Sequence, residues 1–348
     1  MFIRLDAIGD FLIVLPYFKE IKKDYNNSDN YLILVGNKLW KDLGEYFLKD
    51  IFDQFIWIDR KDYKNNLFYR VRLNLNLLRI NAGEVIDSTY SRDYIYNDSI
   101  TRAISANIKI GWVGDNSGFF TILSRISEKW YTELVSNINS QLETEKHSHF
   151  FNYVLKKNIN PNFKIYAKVG DILKYNLPEK YCVIAPSAFW SGKEWETNKF
   201  AECADYINQK HNYAIVLIGS SSEHHKYDEI RKFAKSSYFI NCIGKTNLLD
   251  MIEVIRNADL LITNDTSAVH VAALTDTNAI CIIGGGHFGR FVPNHSIKNI
   301  KWLYSKMECF GCNWKCIYDI EKNQTVPCIA NIKSVEIFGV IDDFLSCK

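Results

Sequence analysis

The stretch Leu260-Leu261-Ile262-Thr263-Asn264-Asp265-Thr266-Ser267-Ala268-Val269-His270 decides the fold class. Its first three residues are an apolar run that Thr263 extends, and the residues that follow are the types that cap helices. A strand from Leu260 to Thr263 is therefore expected to turn directly into a helix from Thr266 to Leu274. The same alternation surrounds it. Tyr181 to Ala185, Ala214 to Gly219, Tyr238 to Ile243 and Ala279 to Ile283 read as strands. Between them, Phe200, Ala201, Cys203, Ala204 and Ile207 make a helical stripe, Glu223 to Ala234 reads as a helix, and Thr246 stands where an N-cap belongs before Leu248, Leu249, Ile252 and Ile255. Strands alternating with helices form a Rossmann-like unit, with ligand loops at the carboxyl ends of the strands.

The first half repeats the plan less cleanly. Phe2 to Leu5 reads as a strand, Asp6 to Gly9 as a tight turn, and Phe11 to Ile21 as a helix. Further strands are expected at Tyr31 to Gly36, Phe55 to Asp59, Gly83 to Asp87 and Ile108 to Val113. From Gly114 to about Tyr175 the pattern is polar and mostly helical, and a linker is expected near Lys168 to Lys180. A length of 348 residues suits two domains at roughly 150 residues each. They are expected over 1–170 and 171–330, with a C-terminal helix in 331–348 packing back on the first domain. The whole is an α/β protein of two Rossmann-like domains.

Lys and Arg number 42 against 40 Asp and Glu, a formal charge of +2, so no chain-wide field calls for a nucleic acid as partner. Any anion site must be local. Hydrophobic residues at 47% and charged residues at 24% argue against disorder. The start, MFIRLDAIGDFLIVLPYF, carries two acids within its apolar stretch and no small-residue cleavage site, so it does not read as a targeting segment. Nine cysteines, an odd number without a disulfide-like ladder, fit a reducing, cytoplasmic setting.

Several segments carry candidate chemistry. Thr266 and Ser267 would open a helix whose N-terminus can hold a phosphate. His270, one turn on, shares that face, although capping alone also explains the Asp265-Thr266-Ser267 run and a helical His is more often a satisfied residue. The loop Pro186 to Trp195 is long for a βα connection. Its Ser187 and Lys193 would suit a diphosphate, or the loop is a solvated turn whose tryptophans merely pack. Asp10, after the first strand, sits where a helix N-terminus keeps a carboxylate ionised for work as a general base, or it serves only to cap its helix.

Gly284-Gly285-Gly286-His287-Phe288-Gly289 matches G-x-G-x-x-G literally. It follows the last strand of its unit, however, and precedes Arg290-Phe291-Val292-Pro293, a poor helix start, so nicotinamide binding is not expected there. Two readings stay open: a loop turning backbone N–H groups toward phosphate, or a plain turn. Gly244-Lys245-Thr246 fails as a P-loop because Phe239 stands where the earlier Gly belongs. Four of the nine cysteines, Cys309, Cys312, Cys316 and Cys328, cluster as C-x2-C-x3-C-x11-C. They could close around one structural zinc or iron, remain unligated thiols, or form two disulfides in an exported protein.

Together these segments resemble glycosyltransferase family nine, the heptosyltransferase-like enzymes of lipopolysaccharide assembly. The resemblance rests on Arg4-Leu5-Asp6-Ala7-Ile8-Gly9-Asp10 with Leu12 and Pro16, then Pro186-Ser187-Ala188 with Lys193 and Trp195, Gly219 with Glu223, and Asn264 through His270. It implies a GT-B architecture with a donor-binding C-terminal domain and an acceptor-side N-terminal domain. It further implies inverting transfer of a heptose or related sugar without a catalytic metal, from a nucleotide sugar such as ADP-heptose to a glycolipid or surface-glycan acceptor. By the same resemblance Asp10 is the catalytic base, and Ser187, Lys193, Asp265, Thr266, Ser267 and His270 contact the donor diphosphate. Glu223 would contact the nucleoside or ribose, and Gly286, His287 and Arg290 belong to a loop shared with a subset of members, where Arg290 would meet an anion. A comparable cysteine group in some members supports the metal reading.

Ser267 departs from the Gly that many members carry, and residues 60 to 150 share only the strand plan and a Gly111 strand end. A cytoplasmic enzyme is expected, with peripheral contact at the inner membrane left open because 21 Phe, 20 Tyr and 8 Trp leave room for an exposed aromatic patch. Two other classes compete with it. One is a non-catalytic nucleotide-sugar-binding or assembly protein of the same fold. The other is a zinc-containing NAD dehydrogenase, which the misplaced Gly-rich loop disfavours.

Overall fold

A computed structural model of the chain describes residues 1–25, 30–115, 121–235, 238–321 and 324–346. The chain divides into two compact units, Met1–Phe163 and Lys164–Lys348. The boundary thus falls a few residues before the expected one at 170/171.

In the first unit the strands are β1 (Phe2–Arg4), β2 (Ile33–Asn37), β3 (Gln54–Ile58), β4 (Asn81–Asp87), β5 (Ser105–Trp112) and β6 (Glu133–Val135). They form one parallel sheet in the order β3-β2-β1-β4-β5-β6, with Phe2 opposite Leu34 on one side and Ile86 on the other. The second unit contains β7 (Tyr181–Ala185), β8 (Ala214–Leu217), β9 (Phe239–Asn241), β10 (Leu260–Asn264), β11 (Ala279–Ile282) and β12 (Ile300–Leu303). Its order, β12-β11-β10-β7-β8-β9, is the same arrangement. Helices on both faces explain why β2, β7, β8, β10 and β11 are buried along their whole length and read as continuous apolar runs. The outermost strands β6 and β12 were not expected from the sequence. Each is short, and β12 alternates buried Ile300 with exposed Lys301, which blunts its signal.

In both sheets the chain leaves the first strand of the unit in one direction and the fourth in the other. The gaps between β1 and β4, and between β7 and β10, are therefore the topological switch points where α/β sheets bind ligands. Packing fixes these strands from both sides. In the first unit Ile3, Val35, Ile58 and Val85 join Tyr63 and Leu77 on one face, while Phe2, Phe18, Phe52 and Phe151 stack edge to face on the other. In the second unit Ile184, Leu217, Ile262 and Ile282 pack with Trp195, Phe200 and Ile207.

One expectation needs correction. The cap of the Leu248–Arg256 helix is Asn247, whose side chain accepts from the Asp250 N–H at 2.8 Å, and not Thr246. Within the second unit the C-terminal helix Val335–Leu345 packs on the Thr197–His211 helix. Phe338 stacks on Tyr206 at 4.1 Å, Asp342 binds the Tyr206 hydroxyl and His211 at 2.8 Å each, and Ile337, Ile341 and Leu345 enter the second core. Cys347 lies outside the described residues.

Candidate active site

At the first switch point the chain leaves β1 at Arg4 and enters the Ile8–Tyr25 helix within four residues. Asp10 lies in the first turn of that helix, and its carboxylate accepts the backbone N–H of Ala7, half of a capping box. Asp10 is therefore the third helical residue and not the N-cap, and the helix N-terminus does not keep its carboxyl fully ionised as the sequence led one to expect. Burial raises the Asp10 pKa from 3.8 to about 7; the nearby Asp6 and Glu143 carboxylates raise it further, and the Arg4 guanidinium opposes them. A carboxyl poised near neutrality can both take and return a proton.

Residues distant in sequence build this environment. Arg4 is fully buried, pairs with Asp6 at 2.9 Å, donates to the Ser88 carbonyl at 2.7 Å beyond β4, and lies 3.4 Å from His147 Nε2. Burial holds the His147 pKa well below its usual value, so the ring is neutral and Nε2 accepts from Arg4. Glu143 pairs with Lys146 at 3.2 Å, and Lys146 sits over the Tyr90 ring at 3.9 Å. Sequence reasoning assigned no role to Glu143, Lys146 or His147, because the Glu143–Leu155 helix gives no motif and only folding brings it to β1. Next to it, buried Asp87 and Asp98 share the Tyr131 hydroxyl at 3.2 and 2.9 Å, and Arg92 neutralises Asp98 at 2.8 Å. This network braces the chain after β4.

The second switch point gathers most of the expected donor residues. Asn264, last residue of β10, donates to the Pro186 carbonyl at 2.6 Å and accepts the Trp195 N–H at 3.0 Å, which ties both ends of the long β7 loop to β10. Glu194 closes the loop from within by accepting the Ala188 N–H at 3.1 Å and pairing with Lys226 at 2.9 Å. The Ser187 hydroxyl is buried there without a hydrogen-bond partner among the described residues, an open donor and acceptor at the strand end. Thr266 caps the Ser267–Thr275 helix through its hydroxyl and the Ala268 N–H at 3.3 Å, so Ser267 opens a helix N-terminus after β10, the strand paired with β7.

Burial lowers the Lys193 pKa while the Asp265 carboxylate opposes that shift, and burial raises Asp265 while Lys193 opposes it; the two charges therefore sense each other. Burial also lowers the His270 pKa from 6.5 to about 4, so at neutral pH this ring offers an N–H donor and no charge. The arrangement can hold an anion with backbone amides, hydroxyls and one lysine.

Glu223 stands apart from that group, in the turn after β8. It completes a capping box with Ser220, accepting the Ser220 N–H at 2.7 Å, and its carboxylate fills the space where Gly219 lacks a Cβ. Gly284, Gly285 and Gly286 have a reason neither earlier reading contained. A Cβ on each would strike Ile329 and Trp314, Phe310, or Trp314 respectively, so the glycines admit aromatic rings of the cysteine-bearing segment. Backbone bonds from Gly311 to Gly285 at 2.8 Å and from Asn313 to Gly286 at 2.9 Å fasten the two loops. His287 is bound to Asn313 Oδ1 at 2.6 Å, and Arg290 lies over the Phe291 ring at 4.9 Å. Trp314 also covers Lys193 at 4.0 Å, which links the cysteine segment to the anion site.

Cys309, Cys312, Cys316 and Cys328 line one cavity together with Gly285, Gly286 and Trp314. As placed, no three His, Cys, Asp or Glu among the described residues are close enough to hold a metal ion. The donor set nevertheless suits a soft cation. Four thiols face one space, and the Cys328 pKa is raised by burial and by the other three sulfurs, a repulsion that a bound cation would relieve. Among the described residues no helix is long and apolar enough to cross a membrane.

The comparisons bear on this geometry. A heptosyltransferase, Lipooligosaccharide heptosyltransferase 2 of Campylobacter jejuni, is 25% identical over 156 residues, 42% of this chain and 48% of that protein, so the chain spans about half the length of this curated relative. The structure of E. coli heptosyltransferase WaaC with ADP has a TM-score of 0.70 at 15% identity, covering 99% of this chain and 98% of that one. A dodecameric iron-containing heptosyltransferase, TibC, in complex with ADP-D-beta-D-heptose has a TM-score of 0.57 at 12% identity, covering 99% and 75%. These likenesses establish the two-domain GT-B fold. The family model described as Glycosyltransferase family 9 (heptosyltransferase) matches residues 84–317, from the middle of the first sheet through the β7 and β10 loops into the cysteine segment, and the chain belongs to that family.

Proposed function

We propose that the chain is an inverting glycosyltransferase that moves a heptose or related sugar from an ADP-sugar to a lipopolysaccharide-type acceptor, without a catalytic metal. The observation that carries this reading is the candidate anion site at the second switch point: the Ser187 hydroxyl, unpartnered among the described residues, with Lys193 after β7, and the Thr266-capped helix N-terminus after the adjacent β10. The family membership and the heptosyltransferase name of the C. jejuni relative support the sugar, and the ADP in the WaaC structure supports the nucleotide.

In this reading the acceptor hydroxyl attacks the anomeric carbon as Asp10 takes its proton. The bond from that carbon to the diphosphate oxygen breaks, and the electron pair leaves on the nucleoside diphosphate. One displacement inverts the anomeric centre. Lys193, the Ser187 hydroxyl and the amide of Ser267 stabilise the charge that develops on the leaving group. Neutral His270 adds a hydrogen-bond donor. Arg4 and His147 position the Asp10 turn, and Asp6 with Glu143 keeps the base near neutral pKa. Glu223 and Arg290 complete the donor site in this proposal, toward the ribose and a phosphate or acceptor anion respectively.

The four cysteines would hold one structural ion, zinc or iron, that braces the Gly-rich loop and takes no part in transfer. Cys312→Ser should release that ion in metal analysis of the purified protein. A cytoplasmic setting follows from the need for nucleotide sugar, and the described cysteines, which form no disulfide among themselves, suit it.

The test is release of nucleoside diphosphate from ADP-heptose, with UDP- and GDP-sugars as controls, in the presence and absence of acceptor. Asp10→Asn should retain donor binding in a thermal-shift assay and lose release. Donor binding without turnover by the unmutated chain would instead establish a non-catalytic binder, and a flat thermal response to every nucleotide sugar would overturn the reading.

A further inference from the structure

The helix Leu67–Leu78 in the first unit has two apolar faces, and among the described residues only one has a partner. Leu77 is buried, and Tyr69 and Leu73 pack on the first core. On the other face Leu67, Val71, Leu75 and Leu78 follow one another at helical spacing with Phe68 beside them, and these five side chains are between 48 and 79% exposed. The stripe is bordered by cations. Arg72 and Arg79 flank it on the helix, and Lys61 and Lys64 stand exposed just before it. None of these four is in an ion pair among the described residues. Between residues 60 and 79 there are six basic side chains and one acid, Asp62, in a chain whose formal charge is only +2.

We propose that this helix is a docking surface for an anionic phospholipid membrane, lying flat with Leu67, Phe68, Val71, Leu75 and Leu78 among the acyl chains and the cations at the headgroups. An exposed apolar stripe with basic residues at its border is the chemistry of an interfacial helix. Each cation near an anionic leaflet adds attraction that salt screens. A second copy of the chain fits less well. A two-fold contact through this helix would bring the cations of one copy, Lys64, Arg72 and Arg79, toward the cations of the other, and five side chains of one helix fall short of the roughly 800 Å² that each partner of a stable complex buries. The inference does not depend on the transferase reading, since it concerns a surface and not the reaction.

The test is co-sedimentation of the full chain with vesicles of phosphatidylcholine alone and of two-thirds phosphatidylcholine with one-third phosphatidylglycerol. Binding to the second kind only, weakened by added salt, is expected. Phe68→Ser with Leu75→Ser should lower the partition about tenfold or more, and Arg72→Gln with Arg79→Gln should do so by a similar factor. Thermal unfolding is read on both pairs. Because the arginine pair alters only exposed side chains, it decides the matter if the serine pair misfolds. The proposal is overturned if the unmutated chain stays in the supernatant with anionic vesicles or if the arginine pair binds as well as it does. Light scattering that finds a dimer split by Phe68→Ser would also overturn it, assigning the face to a second copy.

Discussion

Replacing Asp10 with Asn separates two consequences of one buried carboxyl. In the folded chain its pKa is about 7 against an ordinary 3.8, chiefly because burial and the Asp6 carboxylate disfavour the charge. Below pH 3.8 the group is protonated whether the chain is folded or not, and it adds nothing to the pH dependence. Between 3.8 and 7 the unfolded chain ionises first, so stability falls as pH rises, and above 7 the loss is complete. The full shift corresponds to about 4 kcal/mol. The carboxyl keeps part of its surface, and solvent screening leaves roughly half, about 2 kcal/mol.

Asparagine keeps the shape and an oxygen for the Ala7 N–H but never ionises. At pH 8 the variant should therefore unfold about 4–8 °C higher than the unmutated chain in the transition of the first domain, and at pH 4 the difference should vanish. Over the same range turnover by the unmutated protein should rise with pH through a limb near 7, and the variant should lose about 10²-fold or more. A variant equally or less stable at pH 8 would refute the burial argument, and one that turns over normally would refute the assignment of Asp10 as base.

Asn264→Ala removes the groups that serve the Pro186 carbonyl and the Trp195 N–H, both buried, and should cost about 2–3 kcal/mol in urea unfolding; an unchanged midpoint would show that the β7 loop holds without it. Gly286→Ala would place a methyl 2.2 Å from Trp314, so the indole must move; a loss of about 1–3 kcal/mol and a changed tryptophan fluorescence are expected. His270 has a folded pKa of about 4 against 6.5, so its contribution to stability is present above pH 6.5 and is lost as pH falls toward 4. His270→Gln should flatten the acid limb of the stability profile in that window, and an unaltered limb would mean that the ring is solvated.

The sequence alone determined the architecture. Short apolar runs such as Tyr181–Ala185 and Leu260–Ile262, bounded by turn residues and alternating with helical stripes, read as strands of parallel βαβ units, so ten of the twelve strands among the described residues were legible. It also located the loops that carry Ser187, Lys193 and Asp265 to His270, because strand ends followed by capping residues mark ligand loops in such folds. The two strands that escaped, Glu133–Val135 and Ile300–Leu303, lie at sheet edges where one side needs no apolar cover.

Tertiary structure decided what those residues experience. That Asp10 sits near neutral pKa depends on Asp6, Arg4 and Glu143 converging from separate elements, and that the triple glycine admits Phe310 and Trp314 depends on a segment some 25 residues downstream folding back. The sequence of Leu67–Leu78 does not say which of its apolar faces is buried, and only the packed sheet reveals that the core takes the face of Tyr69, Leu73 and Leu77. Periodicity records that a residue is apolar or charged, whereas its partners, its desolvation and therefore its pKa are properties of distances the linear chain does not contain.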